Sequence, residues 1–312
     1  MYFGNQVPEK DNLYTNMAEN EFELLAAVLR DETEASAVAV LERTTIDTSK
    51  VLLNGDSLLR IAALRGQLNC VQLLLANPKA NPGDALQGAV AYGHTLCLDA
   101  LLKDARCNPN HCRVWTPLFY ASCKGYTECL KALLSHPGID PNQGHREDKR
   151  SPLDEAVRGL KVECVAMLLA HPRINPNTTC SDGKSPLHEA CTPKYDDDDN
   201  ARAKRRTILS LLLLHAAIDV NTRTAMPYVL PDYTPLCLAV YWKYYDAVEL
   251  LLRDERVNLD AAHTDVLRDI EFFGETVGAG SRIMLEAIQA EQRRRDRWQR
   301  RRSWIFECLV LP

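Results

Sequence analysis

The chain has 312 residues, of which 46% are hydrophobic, and a formal net charge of −5. That apolar content supports an extended core and excludes a chain that is disordered throughout, while the mildly acidic balance gives no global attraction to nucleic acid. The N-terminal stretch Met1–Gln6 is polar and runs into charge, and no run reaches the ~18 apolar residues of a membrane span, so neither a secretory leader nor a transmembrane helix is expected.

In chain order, a short extension over 1–19 precedes the first helical pattern, which is set by Leu25 and a second apolar stripe at Ala37, Val40 and Leu41, closing on Thr45-Ile46-Asp47. Leu59 follows at a step of 34 residues, with Gly66 and Leu74-Leu75 behind it. Leu86 comes 27 residues later, with Gly93 and Leu101-Leu102, so the finger between Asn81 and Asp84 is expected to be missing or cut to a tight Pro82-Gly83 turn. From there the pattern is explicit: Thr116-Pro117-Leu118, Ser151-Pro152-Leu153, Ser185-Pro186-Leu187 and Thr234-Pro235-Leu236, each followed by Ala121, Ala156, Ala190 or Ala239. The units at Leu118 and Leu153 close on Pro141-Asn142 and Pro176-Asn177.

Each element of this pattern has a physical cause. Proline in the first helical turn loses no hydrogen bond, and the preceding Ser or Thr hydroxyl caps that turn. Small Ala lets neighbouring helices approach, and paired Leu residues on the second helix form the apolar stripe. Gly66, Gly93 and Gly125 suit a sharp turn with positive φ. Leu160 and Lys243 stand at the same place in their units, so both of those turns are expected to differ locally. A fixed period of this length means stacked helical units that share a core.

Thr-Pro-Leu-x-x-Ala, a Gly turn such as Lys124-Gly125-Tyr126-Thr127, a Leu-Leu helix and a terminal Asn together resemble the ankyrin-repeat family. The resemblance implies an all-α solenoid of stacked helix-turn-helix units with β-hairpin fingers. It covers about seven repeats over 20–260 (20–53, 54–83, 84–112, 113–147, 148–181, 182–230 and 231–260), the first degenerate and read as a cap. It also implies a non-enzymatic scaffold that binds another protein through finger tips and a concave groove. Mapped onto this chain, the candidate protein-binding residues are Trp115, Tyr228, Tyr233, Tyr241 and Trp242 with Arg113, Arg146 and Lys124, because aromatic side chains dominate interface energetics. The competing reading for several of these aromatics is packing within the array.

Cys70, Cys97, Cys129 and Cys164 hold one equivalent position in four successive units. Packed helices lie about 8–10 Å apart and a disulfide needs Cα atoms within about 7 Å, so these four read as core-filling free thiols in a reduced, intracellular setting, cytoplasmic or nuclear. Cys107, His111, Cys112 and Cys123 lie close in sequence but lack the paired spacing of a zinc site, so no metal is expected. His136 and His171 precede Pro at one repeat position and read as turn residues. No phosphate loop, nucleophile elbow or metalloprotease motif is present, and neither an enzyme activity nor a cofactor is expected.

Two features break the repeat. Ten extra residues lie between Ala190 and Leu209: an acidic stretch, Asp196–Asp199, expected to be a solvated loop, then a basic stretch at Arg202, Lys204, Arg205 and Arg206 that begins a longer second helix. A tail over 261–312 holds an Arg-rich helix and an apolar end. Eight arginines in 282–302 against Glu286, Glu291 and Asp296 give that stretch +5. Arg293, Arg294, Arg295, Arg297, Trp298, Arg300, Arg301 and Arg302 therefore support an alternative: a nucleic-acid or ribonucleoprotein-associated component that contacts phosphate or an acidic surface. The same helix is also read as packed on the chain's own array, and the apolar end as docked on the last repeat or on a larger assembly.

Overall fold

The computed structural model describes residues 38, 39, 41, 42, 52, 53, 56–111, 115–194, 198–224, 233–260 and 286–297. The regular structure among the described residues is helical apart from one small hairpin, β1 (Leu52–Leu53) antiparallel to β2 (Asp56–Ser57). The chain forms two compact units, residues 1–140 and 141–312.

In the first unit, the helical residues 38, 39, 41 and 42 belong to the degenerate repeat, and Leu41 is buried; Ala37 and Val40 lie outside the described residues. Three helix pairs follow: α1 (Leu58–Arg65) with α2 (Leu68–Leu75), α3 (Pro82–Ala91) with α4 (Thr95–Leu102), and α5 (Pro117–Lys124) with α6 (Thr127–Leu134). First helices stack on first helices and second on second, α1 on α3 on α5 and α2 on α4 on α6. The α1–α3 approach is close because Gly88 has no side chain: a Cβ there would lie 2.6 Å from the Arg60 carbonyl oxygen.

The second unit repeats the plan with α7 (Pro152–Arg158) and α8 (Val162–Leu169), α9 (Pro186–Ala190) and α10 (Asp199–Leu214), and α11 (Pro235–Tyr241) and α12 (Tyr245–Arg253). A further helix, α13, spans the described residues 286–297 and buries Ile288. The expected long second helix is α10: Asp198 caps it by accepting from Ala201 N at 2.7 Å, while residues 195–197 lie outside the described residues.

The local expectations have structural counterparts. Ser57, Thr116, Ser151, Ser185 and Thr234 each accept a backbone N–H three residues on, a cap of about 1 kcal/mol. Leu59, Leu86, Leu118, Leu153, Leu187 and Leu236 are all buried, as are the four register-related cysteines, which are free thiols. His136 and His171 each accept a turn N–H through Nδ1. The terminal Asn of four repeats is a clamp. Asn177, for example, donates to Ala217 O at 2.7 Å and accepts from Asp219 N at 2.8 Å, and Asn110, Asn142 and Asn221 do the same to the turn one repeat on.

One expectation needs correction, and one open alternative is resolved. The turns at Leu160 and Lys243 do not differ: their φ values of 53° and 55° join Gly66, Gly93 and Gly125 in the left-handed region. Stacking of the flanking helices dictates the turn, and these side chains accept a strain of about 1 kcal/mol or more. Pro82-Gly83 is the first turn of α3, with Asn81 as its cap, so of the two alternatives for this connection the missing finger is the one found. The finger is absent, and proline serves there as a helix initiator.

Candidate functional site

In the first unit, α3 and α5 carry a polar and aromatic face that the core does not require. Tyr120 and Lys124 are one turn apart on α5, and the Lys124 ammonium sits 5.5 Å from the Tyr120 ring centroid. The Trp115 ring lies 5.6 Å from that of Tyr120, and Gln87 on α3 donates to the Trp115 carbonyl. Trp115 is half-buried, so its position is set by packing while part of its surface stays open. Burial raises the Tyr120 phenol above its ordinary value, so it stays a neutral donor. Tyr92, exposed by 63%, stacks on His94 at 6.2 Å. Sequence reasoning missed Tyr120. Its signal was the four-residue spacing to Lys124, which puts both on one helix face.

In the second unit, Tyr241 and Trp242 close α11 with their rings edge to face at 5.2 Å and 89°. They form one wall of a pocket of about 750 Å3, continued by Tyr244 and Tyr245 at the turn into α12. Pro193, Lys194 and Arg202, from the lengthened segment between Ala190 and Leu209, complete the lining. The insertion therefore builds a surface, a role its composition did not announce. Trp242 is half-buried, and its Nε1–H has no acceptor among the described residues.

The remaining candidates separate by burial. Tyr233 is fully buried, so it is not a contact residue: its carbonyl accepts from His188 Nε2 and from Thr224 N, both at 3.0 Å, and its ring packs 5.9 Å from Tyr241. Arg146 is exposed at the tip of a finger closed by the bond from His145 N to Arg150 O. Arg113, Tyr228, Trp298, Arg300, Arg301 and Arg302 lie outside the described residues. Arg295 departs from the binding role expected of it. Its guanidinium donates to the carbonyls of Leu252, Asp254, Glu255 and Val257 at 2.9–3.2 Å, closing the end of α12. Arg106 serves the turn after α2 in the same manner, at Leu75 O and Asn77 O. Arg294 pairs with Glu291, whose carboxyl is held below its ordinary value by that contact, while Arg293 and Arg297 are exposed.

Two buried ionisable groups occupy equivalent positions, three residues after the helix caps. Asp154 accepts from Ser151 N at 2.8 Å and from Ser151 Oγ, and its burial pushes the carboxyl up to about 7. His188 accepts from Ser185 N through Nδ1, so Nε2 carries the hydrogen donated to Tyr233 O, and burial lowers the imidazole to about 4. Both are walled in and serve as caps. Burial raises the Cys107 thiol to about 12 and pushes Cys129, Cys164 and Cys191 up as well, which disfavours the thiolate a nucleophile needs. Among the described residues no three His, Cys, Asp or Glu side chains converge on a metal position, and no helix is long and apolar enough to cross a membrane.

Two family models match the chain: ankyrin repeats in three copies over residues 59–145, and a single ankyrin repeat over 232–264. Among solved structures, the ankyrin repeat domain of human ASB11 superposes with a TM-score of 0.53 at 19% identity, covering 72% of this chain and 92% of that one. An ankyrin repeat domain from Acinetobacter baumannii AYE gives 0.54 at 23% identity, covering 63% and 96%. At these identities the likeness is one of fold. No curated protein matches the chain in sequence.

Proposed function

This chain is an ankyrin-repeat protein, and we propose that it is a non-enzymatic scaffold that holds a partner protein on its finger tips and first-helix faces. Ankyrin repeats are general protein-interaction modules, and the face of Trp115, Tyr120 and Lys124 carries the reading here. It combines a half-buried Trp and a Tyr with a polar tip, residue types enriched at interface hot spots, with a lysine ammonium beside them. Trp242, Tyr241 and Arg146 extend the reading to the second unit. Affinity capture from cell extract with the full chain tests it. Trp115→Ala should weaken recovery of the partner about tenfold or more, the loss of one modest hot spot, with little change in melting temperature. Undiminished recovery refutes the assignment.

The nucleic-acid alternative retains Arg293 and Arg297 on the exposed side of α13. It predicts binding that falls steeply with salt and is lost on Arg293→Glu with Arg297→Glu, substitutions that leave Arg295 in place.

A further inference from the structure

The pocket beside the turn between α11 and α12 differs in chemistry from the face around Trp115. Its volume of about 750 Å3 falls within the ~300–1,000 Å3 range of ligand-holding clefts. One wall is aromatic, with Tyr241 and Trp242 edge to face and Tyr245 exposed by 57%. The rim is basic: Lys194, Arg202 and Lys243 line it against one carboxylate, Asp246. That carboxylate is already met by Arg206 at 3.0 Å. Arg202 has only a loose contact of 3.6 Å with the exposed Asp199. Lys194 spends one donor on the Arg158 carbonyl at 3.1 Å. Lys243 is exposed, holds φ at 55°, and has no ion-pair partner among the described residues.

We propose that this pocket docks an acidic peptide of a partner protein, with one aromatic side chain of the peptide against Tyr241, Trp242 and Tyr245 and its carboxylates at Lys194, Arg202 and Lys243. The inference rests on the protein-binding reading and narrows it to a ligand class at a second place. Two arguments carry it. The aromatic wall rewards a flat apolar group, and ring pairs gain by edge or offset packing. The rim has a surplus of cations, so it selects negative charge and rejects positive charge. The docking position depends on the lengthened segment, since Pro193, Lys194 and Arg202 come from it.

The test uses the full chain and fluorescein-labelled peptides read by anisotropy. One peptide has Asp and Glu residues flanking a single Phe, a second replaces that Phe by Ala, and a third has Lys in place of the acidic residues. The expected result is that the acidic Phe peptide binds and the other two bind about tenfold more weakly or worse. Lys243→Glu, at an exposed position, should weaken the acidic Phe peptide about tenfold or more by placing a carboxylate on the rim. Trp115→Ala should leave that affinity unchanged. Equal binding of the Lys peptide, indifference to Lys243→Glu, or no binding of any peptide overturns the proposal. None of these results touches the wider reading, which stands or falls on partner capture by Trp115→Ala.

Discussion

Asp154→Asn should stabilise the protein above neutral pH and leave it unchanged in acid. Burial holds the Asp154 carboxyl at about 7, against an ordinary value of 3.8. Between those values the folded chain keeps a proton that the unfolded chain has lost, so stability falls as pH rises through this window and is level above it. At about 1.4 kcal/mol per pH unit, a window of roughly three units is about 4 kcal/mol. His188 acts with the opposite sign. Burial lowers it to about 4 from 6.5, so on acidification the unfolded chain takes up a proton that the folded chain refuses. Stability falls by about 3 kcal/mol as pH drops through that window. The two slopes oppose each other between about pH 4 and 6.5, and the wild-type chain gains little net pH dependence from this pair. An amide at 154 reproduces the neutral acid and removes one slope. The variant minus wild-type difference, in which all other titrating groups cancel, should be near zero at pH 4 and rise to as much as about 4 kcal/mol in favour of Asn at pH 8. The assay is urea unfolding of both proteins at intervals across that range. A difference that stays constant with pH, or one that favours wild type at pH 8, refutes the account of a carboxyl buried as its neutral acid.

Gly88→Ala places a Cβ 2.6 Å from the Arg60 carbonyl oxygen, so α1 and α3 must separate, and the cost by denaturant unfolding should be about 2 kcal/mol, although Ala is the better helix former. Arg295→Ala removes four donations to the end of α12 and should release α13, read as amide exchange over 286–297 that is faster by tenfold or more, about 1.4 kcal/mol, while exchange in α7 and α8 is unchanged. Unchanged exchange over 286–297 in the Arg295 variant would refute the anchoring role of that guanidinium.

The repeats were legible in the amino-acid order because their signals are local. A Ser or Thr hydroxyl reaches an N–H three residues away, proline fixes φ at the first turn, and paired Leu residues recur at helical spacing, so Thr116-Pro117-Leu118 carries its own meaning wherever it lies. The one-position recurrence of Cys70, Cys97, Cys129 and Cys164 likewise marked a core column before any coordinate was known, and the Asp-to-Arg order of the insertion marked the start of α10. Burial and partnership were not legible, because they depend on what arrives from elsewhere in the chain. Tyr233 and Tyr241 are tyrosines of one repeat at the two ends of α11, yet one is sealed by His188 and Thr224 and the other lines an open pocket. Among the arginines of α13, Arg295 closes α12 while Arg293 and Arg297 stay exposed, a division set by helix phase against the last repeat. Leu160 and Lys243 follow the same logic: propensity disfavours positive φ for both, but stacking fixes the path of the turn, and its energy exceeds the local strain. The amino-acid order determined the period, the helices and their caps, since those interactions close within a few residues. Only tertiary structure decided which polar and aromatic groups are enclosed and which remain open to a partner, because desolvation is a property of the surroundings, not of the residue.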